Sequence, residues 1–542
     1  GYMGESIRDV HLLCWNVSGW KSCAEQFRGI PGGFQAFLQG HQVDIFCMQE
    51  TKLSSVSLQK DVGSLIPPAD YESFWACNDG KSGQPLGFNG VATFARSGQV
   101  LRADHTPLGS PDLDEEGRCL LTDHGTFVVF NAYVPNTAGG TRLAFKMRWL
   151  GALRQAMHKV RQAGKAVVLV GDMNLRHRAA DVPPGTRAVK VSDLAHVPPS
   201  ASEGVRAEIA KVTASWEVVR GALTLKEHRE YEVTNARTGQ KLTKWGVFVQ
   251  SKKSGRICRV GWPQNSEERA KCVCAVDGVG CTETDSLVFG RDGPSSLEYL
   301  PPDTLSVSHL VQCLKTVVGL NLSSAAKRWL AETGDEPSPP PLRAWLASIL
   351  KDDDMVDSFV EFWPLAEERF TNWLGRSRPH ASGARVDYIL VDRIFFRRHA
   401  RQGASLDTGG REVDAHSLEA ALAASAQGVW KEQRSAKTDS VSFENQFRSS
   451  PSTGMIYTPP QLSDHIPVSL LLSGLPQPPC AGAHDDATLR CRAPGAAAVD
   501  VGLPRKRPAD QSVPVTFDPE PPRKIMKRPA AKEREETGER KK

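Results

Sequence analysis

The chain has 542 residues, 40% apolar and 24% charged, which is too long for one ordinary domain but apolar enough for a soluble globule. Its net charge of +5 is uneven: residues 474–542 hold 14 Lys or Arg against 10 Asp or Glu, leaving the remainder near +1. A generic polycation is thereby excluded, and the lack of any 18-residue apolar run excludes a transmembrane helix.

The opening GYMGESIRDV has no apolar signal core, so secretion is not expected. The first residue is not Met, so a preceding organellar signal stays open. "HLLCWNV" (11–17) and "VDIFCMQE" (43–50) predict strands that end in polar residues. Cys14 and Cys47 sit inside such runs, as reduced core thiols do. "GVATFARS" (90–97) and "GTFVVFNAYVPN" (125–136) predict two more strands. A helix follows, with Leu143, Met147, Leu150, Leu153, Met157 and Val160 at helical spacing and Gly164 as its stop. "VVLVGDMN" (167–174) is the next strand.

Regular signals weaken over 183–342, an insertion of unknown role. "KWGVFVQSKKSGRICRVGW" predicts a hairpin there, and "ETGDEPSPPPL" reads as a linker. Cys258, Cys272, Cys274 and Cys281 lack two CxxC pairs, which favours a reduced loop over a zinc site. "LRAWLASIL" (342–350) predicts a helix and "VDYILVD" (386–392) a strand. A polar stretch over about 397–460 reads as a long surface loop, and "IPVSLLLS" (466–473) as the last strand. The final 69 residues, with 11 prolines and Phe517 as the one aromatic, are expected to be disordered.

Polar residues of related kinds mark these strand ends: Asn16, Glu50, Tyr133, Asp172 and Asn174, Asp387, and the Asp464-His465 pair. Carboxylate and amide oxygens suit a hard cation that meets a phosphate. Imidazole beside aspartate can donate to phosphate or move a proton, and a phenol can hydrogen-bond a transition-state oxygen. Any one of these alone reads as a turn or cap residue. Together, in this order, they point to metal-assisted phosphodiester hydrolysis.

"WNVSGW", "MQETK", "GFNGVATF", "NAYVPN", "VGDMN", "RVDYIL" and "LSDHIP" resemble, in order, the exonuclease III / AP endonuclease family of the endonuclease/exonuclease/phosphatase superfamily. "RLAFKMRW" and "GDMNLRHRAAD" look most like its AP endonuclease 2 branch. The resemblance implies an α/β fold, a four-layered α/β sandwich of two packed β-sheets flanked by helices. The catalytic domain would be 8–182 and 343–473, with the insertion 183–342 and a disordered basic tail 474–542. It implies Mg²⁺-dependent (alternatively Mn²⁺-dependent) incision 5′ to abasic sites and 3′-to-5′ removal of nucleotides or damaged ends. Glu50 would be the main metal ligand with Asn16 and Asp464, and Asp172, Asn174 and His465 would adjoin the metal or phosphate. Asp172 would orient or deprotonate water, Asn174 would contact phosphate or water, Asp387 would orient His465, and Tyr133 would stabilise the pentacovalent transition state. Lys52, Arg142, Lys146 and Arg148 would contact DNA phosphates.

This sequence departs from the family in three places. Ser18 stands where many relatives have Asp. Asn372 and Ala384 stand at the positions of the Phe and Trp that form the abasic pocket of the strongest AP endonucleases, which puts exonuclease or 3′-end cleaning at least level with incision. "QSVPVTFD" fits a sliding-clamp box poorly, so the clamp stays an open partner, and Cys480 and Cys491 are too few for a tail zinc finger. "PRKRP" (504–508) and "PPRKIMKRPAAKEREETGERKK" (521–542) resemble nuclear signals and imply a nuclear protein. The implied partner is double-stranded DNA with abasic sites or damaged 3′ ends, met by a monomer, with no membrane. Two other readings keep the fold: an RNA-directed or small phosphoester hydrolase, and a non-catalytic scaffold.

Overall fold

The computed structural model describes residues 7–492, except 30–31, 62–69, 138–141, 221–222, 235–240, 253–256, 262–303, 336–337, 339, 365, 367–368, 374–382, 404–450, 457, 459–460 and 479–488. Two sheets form its centre. In the first, the strand order is Ala400–Arg401, Val468–Pro476, Ile7–Asn16, Ile45–Gln49, Val91–Arg96, Tyr71–Ala76, Leu489–Arg492, with Gly454–Met455 also paired to Val468–Pro476. In the second it is Met355–Asp357, Asp387–Asp392, Ala166–Asp172, Phe127–Tyr133, Cys119–Asp123, Arg102–Asp104.

The period-2 alternation of a strand explains how these sheets are covered. Leu12 and Cys14 join Val168, Val170 and Ile389 in the core between the sheets. Leu13 and Trp15 point the other way, into a cluster with Trp20 and Phe27 of helix Trp20–Arg28 and Phe37 of helix Gly33–Gly40. Likewise Val167 and Leu169 meet Leu150 and Leu153 of helix Leu143–Gln162 and Trp345 and Ile349 of helix Pro340–Lys351. Both faces of each sheet are buried, which is why the central strands read as continuous apolar runs. The result is a four-layered α/β sandwich.

Three expectations need correction. First, the described part of the insertion carries more regular structure than its sequence suggested. Val205, Ile209, Val212, Trp216 and Val219 repeat at spacings of four and three along helix Glu203–Arg220. They pack with Leu305, Leu310, Leu314, Leu322 and Leu330 into a separate core. The expected hairpin forms between Lys241–Ser251 and Ile257–Gly261, with Leu223–Thr234 as a third strand.

Second, the long loop is shorter at both ends. Arg393–His399 is a helix, and Ala400–Arg401 and Gly454–Met455 pair with Val468–Pro476. Its centre, 404–450, lies outside the described residues.

Third, strand structure does not stop at 473. The last long strand runs to Pro476, and Leu489–Arg492 pairs antiparallel with Tyr71–Ala76. An edge strand offers open backbone groups to any short extended segment, and composition does not reveal that. Cys272, Cys274, Cys281, Cys480 and the basic clusters after 492 lie outside the described residues. Among the described residues, Cys14, Cys47 and Cys119 are free thiols, and no helix is long and apolar enough to cross a membrane.

Candidate active site

Strand direction and register bring the selected residues to one rim. Ile7–Asn16 and Ile45–Gln49 run parallel with Asn16 opposite Gln49, so Glu50 leaves its strand beside Asn16. Phe127–Tyr133 and Ala166–Asp172 also run parallel, and Tyr133 pairs with Asp172. Asp387–Asp392 runs antiparallel and begins opposite Asp172. Asp464 and His465 precede Val468–Pro476, the antiparallel neighbour of Ile7–Asn16. The ends of the parallel strands and the starts of the antiparallel ones therefore meet.

Side chains close the arrangement. Asn16 Nδ2 donates to Glu50 Oε1 (3.0 Å) and to Asp172 Oδ2 (3.1 Å), so one amide holds two carboxylates. Its Oδ1 accepts from the Ser18 amide at 3.0 Å. His465 Nδ1 lies 2.8 Å from Asp387 Oδ2, and its Nε2 lies 4.0 Å from Asp172 Oδ2. A proton on Nδ1 directed at Asp387 fixes the ring and leaves Nε2 facing Asp172. The Tyr133 phenol lies within reach of the Glu50 charge. The Asn174 amide donates to Asp172 Oδ1 at 2.8 Å, and Asn174 Nδ2 donates to Val134 O at 3.0 Å. Asp464 is half-buried next to His465.

Burial of like charges sets the electrostatics. Burial, then the neighbouring Asp387 charge, raises the Asp172 carboxyl above its ordinary range. Burial opposes the His465 imidazolium, but the charges of Asp387, Asp172 and Asp464 outweigh it and hold its pKa up. Burial pushes Glu50 up, yet Lys52, 2.9 Å from Oε2, and Asn16 together bring its carboxyl below the usual value. Burial and then the Glu50 charge push the Tyr133 phenol well up.

The backbone is bent to match. Ser18, Glu50, Lys52 and Asn174 have φ of 50°, 51°, 53° and 48°, four of the seven non-glycine residues with positive φ among the described residues. Such conformations cost about 1–3 kcal/mol each and persist where the surroundings over-determine them. Gly171 explains the Gly of Gly-Asp-Met-Asn. Its φ is 140°, and a Cβ there would lie 1.8 Å from Ala132 O of the adjoining strand.

Several supports escaped the sequence reading. Ser463 Oγ donates to Asn16 O (2.7 Å) and accepts from the His465 amide (3.1 Å). Thr371 Oγ1 accepts from the amides of Val386 and Asp387 at 3.0 and 3.1 Å. Both sit in stretches selected for other residues, "LSDHIP" and "FTNWL". Buried Arg118 lies over the Tyr133 ring, 4.8 Å from its centroid, and pairs with Glu116. Nothing in "EEGRC" signals that role.

The four expected phosphate contacts divide. Lys52 is 39% exposed and paired to Glu50, with Ser18 Oγ 3.5 Å away. Arg142 is partly buried against Glu116, and Arg148 is exposed and paired to Asp112. Lys146 corrects the expectation. It is 0% exposed and donates to Met173 O and Asn174 O, so its ammonium is held inside the protein and cannot meet solvent or a DNA backbone from there. Burial lowers its pKa to about 7. Asn372 and Ala384, taken from separate stretches as pocket positions, pair directly across a two-stranded ladder, and Asn372 also bridges to His465.

Part of this chain is similar to known proteins. Residues 13–225 match the model of the Endonuclease/Exonuclease/phosphatase family. Over these residues the chain is similar to that family. It is 30% identical over 175 residues to the Recombination repair protein 1 of Drosophila melanogaster, covering 32% of this chain and 23% of that one. It is 28% identical over 174 residues to an Exodeoxyribonuclease of Bacillus subtilis (strain 168), covering 32% and 62%. It is 27% identical over 211 residues to a DNA-(apurinic or apyrimidinic site) endonuclease 2 of Mus musculus, covering 32% and 40%. The match thus spans less than two thirds of each of these relatives.

The donor set of the domain fits a hard cation. Among the described residues, ligand atoms of Asp172, Asp387 and His465 lie within 4.8 Å of one another. Glu50 is tied to this cluster through Asn16. Buried Asp387 Oδ1 has no hydrogen-bond partner, which is costly in a site without a cation. Oxygen donors outnumber the one imidazole, as Mg²⁺ or Mn²⁺ prefers and a thiolate-seeking ion does not.

Proposed function

We propose that this chain is an Mg²⁺-dependent DNA-repair nuclease, acting as an AP endonuclease and a 3′-to-5′ exonuclease or 3′-end cleaning enzyme in base excision repair. The observation that carries the reading is the single rim on which Asn16, Glu50, Tyr133, Asp172, Asp387 and His465 converge from two sheets. Its catalytic domain is assigned to 8–182 and 343–473, with 183–342 as an inserted element.

Asp172, kept from full ionisation by burial and Asp387, takes up the proton of an attacking water. The Asn174 amide orients its carboxylate. His465, held by Asp387, donates from Nε2 to a phosphate oxygen. Tyr133 supports the pentacovalent phosphorus, its ring covered by Arg118. Glu50 and Asp464, with Asn16 beside them, would hold the cation, which neutralises charge on the phosphate. Lys52 at the rim supplies phosphate contact, joined by Arg142 and Arg148 when they exchange a carboxylate for a phosphate. Asn372 and Ala384 themselves place no large ring beside His465. That supports 3′-end processing at least as strongly as abasic incision. The substrate is damaged double-stranded DNA, the protein a nuclear monomer.

One gel tests this. Purified protein and Mg²⁺ meet a labelled duplex with an internal abasic analogue and one with a recessed 3′ end, with EDTA and Glu50→Ala as controls. Incision of the first supports the endonuclease, and stepwise shortening of the second supports the exonuclease. If neither is cut in a metal-dependent way, the DNA-repair reading fails, and cleavage of labelled RNA would identify the alternative substrate.

A further inference from the structure

We propose that Lys146 is a positioning residue for the Asp172-Met173-Asn174 turn, its buried ammonium fixing two successive carbonyls and so the backbone that aims Asp172. The inference rests on the proposed nuclease reading for its kinetic consequence, and on geometry alone for its structural one.

Lys146 lies one turn into helix Leu143–Gln162, in line with Leu150, Leu153 and Met157 on the face packed against the second sheet. A Leu or Met would fit that stripe with no charge to desolvate. Burying an ammonium instead costs several kcal/mol unless its donors are met. Its Nζ donates to Asn174 O at 2.8 Å and Met173 O at 3.2 Å, and among the described residues no carboxylate lies within 4.0 Å of it. The burial therefore serves the backbone rather than an ion pair.

The geometry of the turn shows what is served. In extended backbone, successive carbonyls point to opposite sides. Asn174, at φ 48°, leaves the extended region, and the carbonyls on either side of it come within reach of one cation. The same twist turns the Asn174 amide onto Asp172 Oδ1 (2.8 Å) and its side-chain amide onto Val134 O (3.0 Å). Without the cation, the buried Met173 carbonyl and the partly buried Asn174 carbonyl would lack a partner among the described residues, and a strained non-glycine conformation would lose its restraint. The carboxylate would then be aimed less well, and misplacement of about 1 Å can cost on the order of 10²-fold in rate.

Lys146→Met keeps the apolar stem and removes the donors, and Lys146→Gln keeps an NH₂ donor group without charge. Steady-state kinetics on whichever duplex the wild type cleaves, below the melting temperature of each variant, are expected to show kcat falling about 10²-fold for Met and less for Gln. KM should stay within about threefold for both, because the ammonium does not meet substrate. A folded Lys146→Met with wild-type kcat overturns the proposal, as does a raised KM with unchanged kcat, the signature of a phosphate contact. Crystal structures of the wild type and Lys146→Gln give a test that needs no activity. Asn174 leaving the left-handed region, or Asp172 turning, supports the proposal, and an unmoved turn overturns it. A wild type that cuts neither duplex refutes the nuclease reading alone, and the crystal structures then decide the role of Lys146.

Discussion

Asp387 offers the sharpest test of the site. Its Oδ2 lies 2.8 Å from His465 Nδ1, while Oδ1 has no hydrogen-bond partner among the described residues. A hydrogen bond to a charged group is worth about 1.5–3 kcal/mol, roughly twice a neutral one. If that bond is fully expressed only when His465 donates to the phosphate, Asp387→Ala forfeits all of it. The loss then corresponds to about 10- to 150-fold in kcat. Asp387→Asn keeps an acceptor for Nδ1–H but not the charge, forfeiting about half, or roughly 3- to 10-fold. Both variants remove a carboxylate that crowds Asp172, so neither is expected to melt far below the wild type. The assay is single-turnover cleavage of the preferred duplex at saturating Mg²⁺, with thermal melts as the fold control. Equal losses in the two folded variants, or a folded Asp387→Ala within threefold of wild type, would refute the argument that the His465–Asp387 bond acts at the transition state.

Two stability predictions follow from groups with well-defined surroundings. Gly171→Ala places a Cβ against Ala132 O in the adjoining strand and is expected to cost about 3 kcal/mol or more, read by urea denaturation; a loss under about 1 kcal/mol would show that the strands separate easily. His124 is buried, with Nδ1 3.1 Å from Gln99 O and Nε2 2.9 Å from Thr122 Oγ1, and burial, then Arg8, lowers its pKa to about 3. His41 is likewise lowered to about 3 by burial and then by His11. Unfolded histidine titrates near 6.5, so their contribution is complete above about pH 6.5 and is lost as pH falls toward 3, by up to about 1.4 kcal/mol per pH unit for each. Urea melts at pH 7.5, 6 and 5 should show this decline, and His124→Gln should flatten it; stability independent of pH over that window would contradict it.

Much of the site was legible because its chemistry interrupts otherwise apolar strands. Asn16, Glu50, Tyr133, Asp172, Asp387 and His465 each stand where a buried run ends, and such an ending in an unusual polar residue survives in sequence. The left-handed backbone at Glu50, Lys52 and Asn174 does not, since none of them is the glycine that normally announces it. Lys146 was misassigned through the type of its side chain. Its position, three residues after Leu143 and four before Leu150, already placed it on the buried stripe, and periodicity was the better guide. The insertion was missed for the same reason in reverse. Its four-three spacing over 205–219 was present but masked by intervening charges. The strand Leu489–Arg492 had no signal, because four residues joining a sheet edge depend on the partner rather than on themselves.

The site also depends on alignment between the sheets, because neither sheet holds all of it. Asn16, Glu50 and His465 come from the first sheet, Tyr133, Asp172 and Asp387 from the second. Apolar contact between sheets is non-directional and would tolerate small sliding. A buried polar bridge is not tolerant. Gln49 Nε2 donates to Asn131 Oδ1 at 2.7 Å, and Asn131 Nδ2 donates to Ala92 O at 2.8 Å, Met48 O at 3.2 Å and Thr93 Oγ1 at 3.2 Å. Asn131 thus reaches out of the second sheet to bond groups of two strands of the first, Ile45–Gln49 and Val91–Arg96. A slide of even 1 Å would leave several buried polar atoms unmet, at about 1–3 kcal/mol each. The residue after Gln49 is Glu50, and the residue two positions after Asn131 is Tyr133, whose phenol feels the charge of that same Glu50. The polar bridge in the core therefore sits one residue from Glu50 and two from Tyr133, directly below the rim. Directional bonds below the rim hold the two halves of the site in register where hydrophobic packing alone would not.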